Sequence, residues 1–274
     1  MNRSHSDLDT ASRILRCVCG VLSVLCVITL LVLLISSGCS GSSTNTDTTS
    51  DSASESVGTK DPIDVSAVVL PETPDAGQEY QDKLTFLGDS LTAHLVSRGV
   101  LSGGKDTKQV WRTADNMLNL DSPITTAKIR LPGTDRFVTI AEAAAELKPE
   151  ILIITLGTDY GVSYLTEKDF KAYYTKLLVA IREASPDTAI ILQSIFPVAA
   201  TCKVLSNEKI DRANEWVKSV ADENGCHYLD TQSVLKGADN CLPSQYCVSD
   251  DGIHLTTEAY RLILSYIRTH AYTA

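Results

Sequence analysis

Between Cys17 and Ile35 the sequence holds no charged residue, and between Arg16 and Lys60 it holds neither Lys nor Arg. The first absence leaves a run reading CVCGVLSVLCVITLLVLLI. As a helix rising ~1.5 Å per residue it would cross most of a ~30 Å hydrocarbon core, which argues against a freely soluble cytosolic protein. The second absence gives the run a direction. Arg3, Arg13 and Arg16 precede it, so the positive-inside bias predicts a cytoplasmic N-terminus with everything after Ile35 outside.

A cleaved signal peptide has an apolar region of only about 7–15 residues, which favours an uncleaved signal anchor, a transmembrane helix. The run also ends in Ser36-Ser37-Gly38-Cys39, whose Gly-Cys pair resembles a bacterial lipobox, with Ser36 where that pattern prefers Leu. A lipid on Cys39 would then replace the helix as anchor. Either route predicts a domain held at the outer face of a cell membrane. Residues 40–59 contain no Leu, Ile, Met or aromatic residue, while twelve of the 20 are Ser or Thr. No core can form there, and the segment reads as a disordered tether. Pro62, Pro71 and Pro74 extend that reading to Glu79. The expected division is 1–39 anchor, 40–79 linker and 80–274 folded domain, long enough to bury one core and expected to act as a monomer.

The net charge is −10, and residues 1–39 contribute +1 to it. An exported portion of −11 repels nucleic acid and anionic polymers, so no nucleic-acid partner is expected. No C-x-x-C occurs, and no His lies at zinc-finger spacing, so no metal or other cofactor is expected. Cys202, Cys226, Cys241 and Cys247 follow the anchor. In an oxidising space four cysteines suggest disulfides, with three possible connectivities. Cys226 precedes a strand and would sit at the far end of a sheet from Cys202, out of disulfide reach. One bridge among Cys202, Cys241 and Cys247 is expected, Cys241 with Cys247 being the local choice.

Short apolar runs alternate with amphipathic stretches. Residues 83–87, 150–156, 188–196 and 227–230 read as buried strands, with 109–111 a weaker one. Phe170 to Ile181 keep helical spacing behind a cap at Thr166 and before Pro186; Ile210 to Ala221 and Leu255 to Tyr266 do likewise. The alternation predicts an α/β domain with a parallel central sheet, helices on both faces, and a site at the carboxyl ends of the strands.

At the end of the first strand stands Gly88-Asp89-Ser90-Leu91, and before the last helix Asp251-Gly252-Ile253-His254. A Ser at a strand-to-helix turn offers its hydroxyl at the sheet edge and its N–H to a developing oxyanion. A hydroxyl needs a base, which His254 supplies, and Asp251 can orient that imidazole. His94, one helical turn after Ser90, reads as a helix-face residue, and Trp111, Trp216, Tyr173 and Tyr174 as packing.

These two blocks resemble those of the GDSL or SGNH hydrolase family over Tyr80 to Ala274. The resemblance implies a three-layer α/β/α flavodoxin-like fold with Ser90 as nucleophile, His254 as base and Asp251 as its support. Where the family has G-x-N after the third strand, this chain has Gly157-Thr158-Asp159. An ionised Asp159 has no proton to give an oxyanion and sets like charge beside it. The glycine of the second block has no counterpart between Lys105 and Pro132, and Asn116 is the best polar candidate in that window. The expected activity is a serine esterase removing acetyl or other small acyl groups from an ester-bearing small molecule or an acylated glycan. An O-acyltransferase and a non-catalytic binding module on the same fold are the alternatives.

Overall fold

The computed structural model describes residues 68–248 and 251–273. The apolar run, Cys39 and the Ser/Thr-rich stretch lie outside the described residues. Among those described, no helix is long and apolar enough to cross a membrane.

In chain order come α1 (Gly77–Lys83), β1 (Leu84–Gly88), α2 (Ser90–Arg98), β2 (Val110–Trp111), β3 (Lys128–Arg130), β4 (Phe137–Thr139), α3 (Ile140–Leu147) and β5 (Ile151–Thr155). There follow α4 (Glu167–Ala184), β6 (Ala189–Gln193), α5 (Asn207–Glu223), β7 (His227–Leu229), α6 (Gln232–Leu235) and α7 (Thr257–Arg268). The main sheet runs β2-β1-β5-β6-β7, every pairing parallel, with Leu84 opposite Ile151 and Gly88 opposite Thr155. Counted within the sheet this is the order 2-1-3-4-5 of flavodoxin-like folds.

Alternation along each strand divides the core in two. Phe86, Ile151, Ile153 and Ile191 pack with α2 and α7 on one face; Leu87, Leu152, Ile154 and Leu192 pack with α3, α4 and α5 on the other. Each such buried aliphatic or aromatic side chain contributes about 1.5–3 kcal/mol, which is why the strands read as continuous apolar runs. The helices begin where the capping residues stand: Thr166 accepts from Asp169 N–H, Ser206 from Lys209 N–H and Thr256 from Ala259 N–H.

Three features differ from the sequence reading. The stretch ahead of Tyr80 is packed from Val68 onward. Val68 and Leu70 are buried, and Tyr228 N–H donates to Val68 O while Leu70 N–H donates to Tyr228 O, so this segment covers the outer edge of β7. A two-stranded antiparallel sheet, β3 with β4, stands apart from the main one. It carries one buried residue per strand, Ile129 and Val138, too short a pattern to register as strand. Finally, Cys202, Cys226 and Cys241 are free thiols, so the expected disulfide is not formed. Cys241 is tied into a turn in which its carbonyl accepts from Gly237 N–H, while the backbone of Cys247 pairs with Leu255 in an isolated antiparallel bridge. Cys226 is buried, as its position before β7 implied.

Candidate active site

The carboxyl end of β1 is built around close backbone approach. A Cβ on Gly88 would fall 2.3 Å from the Thr155 carbonyl oxygen and 2.1 Å from Thr92 Oγ1, so only glycine fits between β1 and β5 here. Asp89 follows in extended conformation, fully buried, and caps α2: its Oδ1 accepts from Leu91 N–H at 3.2 Å. Its Oδ2 accepts from Thr158 N–H at 3.0 Å, which fastens the β1–α2 turn to the loop after β5. Burial, then the neighbouring Asp159 carboxylate, push the Asp89 pKa up to about 7. Sequence reasoning assigned Asp89 no role; an Asp directly before a helix is the signal that marks it.

Ser90 is half-buried in the first turn of α2. Asp251 and His254 lie on the loop leading into α7, where Asp251 Oδ1 accepts from the N–H groups of Ile253 and His254 at 2.7 and 3.2 Å. The other oxygen, Oδ2, lies 2.6 Å from His254 Nδ1. That contact fixes the imidazole with Nδ1 toward the acid and Nε2 directed away from it. The ring also packs against His94, centroids 4.7 Å apart. His94 sits one turn beyond Ser90 on α2, so this contact seats His254 on the same helix face as Ser90. Burial, and next the charge of His254, hold the His94 pKa below the usual histidine value. The sequence reading of His94 as an ordinary helix-face residue missed this pairing, which joins residues 160 positions apart.

Asp159 reaches the same place from the loop after β5. Its Oδ2 accepts from Ser90 N–H at 3.0 Å and its Oδ1 from Ser90 Oγ–H at 2.9 Å. A carboxylate therefore occupies the position to which the helix terminus and the backbone donor point, where an oxyanion would otherwise sit. Gly157 supports this loop with φ 128°, and a Cβ there would lie 2.8 Å from Ile195 Cδ1. Asn116 has φ 62°, the left-handed conformation usually left to glycine, at the point after β2 where a glycine was sought. Its Oδ1 accepts from Arg112 at 3.4 Å; no hydrogen bond joins it to Ser90 among the described residues. Beside Asp159, Tyr160 stacks on Tyr164 with centroids 5.1 Å apart, and Tyr164 is 70% exposed. No group of three His, Cys, Asp or Glu among the described residues is arranged to hold a metal ion.

Several solved structures are similar to this chain. A GDSL-like lipase from Bacteroides thetaiotaomicron VPI-5482 is 17% identical, covers 74% of this chain and 91% of its own, and has a TM-score of 0.45. A carbohydrate esterase family 3 protein from Talaromyces cellulolyticus is 18% identical, with coverages of 67% and 93% and a TM-score of 0.43. A peptidoglycan O-acetylesterase is 16% identical, with coverages of 47% and 38% and a TM-score of 0.41. No curated protein matches the sequence. Residues 86–262, more than half of the chain and spanning Ser90, Asp159 and His254, match the GDSL-like Lipase/Acylhydrolase family, and the chain belongs to that family.

Proposed function

We propose that the protein is a serine ester hydrolase that removes small acyl groups, acetyl foremost, from an extracellular or cell-envelope carbohydrate. The observation that carries the reading is the seating of the Asp251–His254 pair on the α2 face that bears Ser90. In this mechanism His254 Nε2 takes the hydroxyl proton as Ser90 Oγ bonds to the ester carbonyl carbon. The carbonyl oxygen gains the electron pair and turns toward Ser90 N–H. Collapse breaks the bond to the leaving alcohol, which receives the proton from His254 and leaves an acyl-Ser90. Water, deprotonated by the same imidazole, then releases the acid and restores the hydroxyl.

Asp159 must give up both its bonds to Ser90 before an oxyanion can take the N–H and His254 the hydroxyl proton. This contact also favours a second reading, a binding module whose would-be oxyanion site is filled by its own side chain. Exposed Tyr164, stacked on half-buried Tyr160, supports a carbohydrate, because a flat aromatic face near Asp159 suits the apolar face of a sugar ring. Anchoring at the outer face of the membrane rests on the charge pattern around Cys17–Ile35.

The test is turnover of 4-nitrophenyl acetate by the full-length chain and by Ser90→Ala. The esterase reading expects hydrolysis that falls at least ~10³-fold in the variant. Equal rates in the two would sink it and leave the binding module.

A further inference from the structure

The acidity of the molecule as a whole conceals one basic face. Residues 101–140 contain six Lys or Arg against four Asp and no Glu, in a chain whose net charge is −10. Several of these cations converge on a groove of about 390 Å³ between the turn after α2, the end of β2 and the β3–β4 turn. Lys105, Arg112 and Arg130 line it, with Thr134, Asp106 and Asp135. Lys108 lies across the same turn, its Cε 3.3 Å from where a Gly133 Cβ would be.

The two arginines are held together by backbone rather than by counter-charges. Arg130 N–H donates to Arg112 O at 2.9 Å in an isolated antiparallel bridge, so their side chains emerge from adjacent strands. Among the described residues, no carboxylate forms an ion pair with Lys105, Lys108 or Arg112. Arg130 pairs with Asp135, whose side chain is 96% exposed. A pair so open to water contributes little to stability and exchanges readily for another anion. Gathering like charges in one groove is unfavourable until an anion neutralises them, and two guanidinium forks match the oxygens of a carboxylate or a phosphate.

The groove lies at β2, the strand that pairs with β1, and Ser90 follows the carboxyl end of β1. Trp111 is in register with Leu87, and Arg112 follows it directly at the end of β2. Arg112 and Arg130 wall a second cavity of about 160 Å³ as well, which contains Asn116.

We propose that this groove binds an oxyanionic substituent, carboxylate or phosphate, on the glycan whose ester groups Ser90 cleaves. The substrate is therefore an anionic acylated glycan. This rests on the esterase reading for the nature of the polymer, but binding itself requires no turnover.

The experiment is calorimetric titration of the full-length chain with an alginate tetramer as the carboxylate probe, tripolyphosphate as the phosphate probe and maltotetraose as the neutral control. Either anionic probe is expected to bind, and to weaken at least ~10-fold between about 20 and about 200 mM salt, while maltotetraose gives no heat. The probe that binds identifies the source of the oxyanion. Arg112→Gln/Arg130→Gln should weaken binding at least ~10-fold. Lys105→Gln/Lys108→Gln changes exposed side chains only and should weaken it about 3-fold with an unaltered Tm. No binding of either anionic probe, or binding unchanged in the lysine pair and the arginine pair, overturns the site. Anion binding without ester turnover would keep the groove and overturn the hydrolase; turnover without anion binding would do the reverse.

Discussion

Asp159 is the residue on which the chemistry turns. Both of its oxygens accept hydrogen bonds from Ser90, and in the proposed mechanism this places a carboxylate where negative charge must develop. Asp159→Asn removes that charge and supplies an amide that can donate. We expect kcat on 4-nitrophenyl acetate to rise by about 10-fold or more, since one oxyanion donor is worth ~10²–10³ in rate. An unchanged or lower kcat across neutral pH would show that Asp159 does not obstruct the reaction. Asp89 supplies a second prediction at this scale. Its folded pKa lies near 7 and so above the ordinary 3.8. The folded state therefore binds more protons between those values, and the Asp89 contribution to stability is present below about pH 4 and lost as the pH rises through about 7. The difference in Tm between Asp89→Asn and the wild type should accordingly move in favour of the variant from about pH 5 to about pH 8. A difference independent of pH in thermal unfolding would contradict it.

At the scale of elements, the sequence was most legible where burial on both sides forced long apolar runs. β5 and β6 fall within the stretches read as strands, and β1 overruns its stretch only at Gly88, because these strands are buried almost throughout. The starts of α4 and α7 were visible in Thr166 and in the spacing after Leu255. The β3–β4 hairpin escaped because one inward residue in three carries no period, and the packing of Val68 to Leu70 escaped because prolines mask an edge-covering segment as tether. Within the site, Ser90, Asp251 and His254 could be proposed from two short blocks. The G-x-N resemblance put Asp159 near the oxyanion position, but its two hydrogen bonds to Ser90 and the contact of His94 with His254 were not legible, being long-range consequences of how the loops after β5 and before α7 fold over α2. The disulfide failed for the same reason, since nearness in sequence between Cys241 and Cys247 says nothing of the turns each occupies. Thr256 gives this scale its test. It caps the helix that begins three residues after His254, and Thr256→Ala should cost about 1 kcal/mol in urea unfolding. It should also reduce kcat, because the loop holding the Asp251–His254 pair hangs from that cap. A stability loss with kcat untouched would separate the cap from the site.

On the scale of the whole molecule, charge and apolarity are partitioned along the chain rather than averaged over it. The basic groove beside β2 sits in an otherwise acidic domain, so an anionic polymer rejected by most of the surface would be received on one face. In our reading the uncharged run before Ser36 keeps the domain at the outer membrane face. Cys39→Ser decides between the two anchors. The full-length variant should stay in the membrane fraction if the helix spans the bilayer, whereas its release into the soluble fraction would show that the lipid route holds it.

All of this depends on Ser90 being a nucleophile, and the most direct measurement is covalent labelling. The full-length chain is treated with a fluorophosphonate and the adduct is located by peptide mass spectrometry. The account predicts a single phosphonylated residue, Ser90, with labelling faster in Asp159→Asn and absent in Ser90→Ala. No adduct on Ser90 in either the wild type or Asp159→Asn would contradict it.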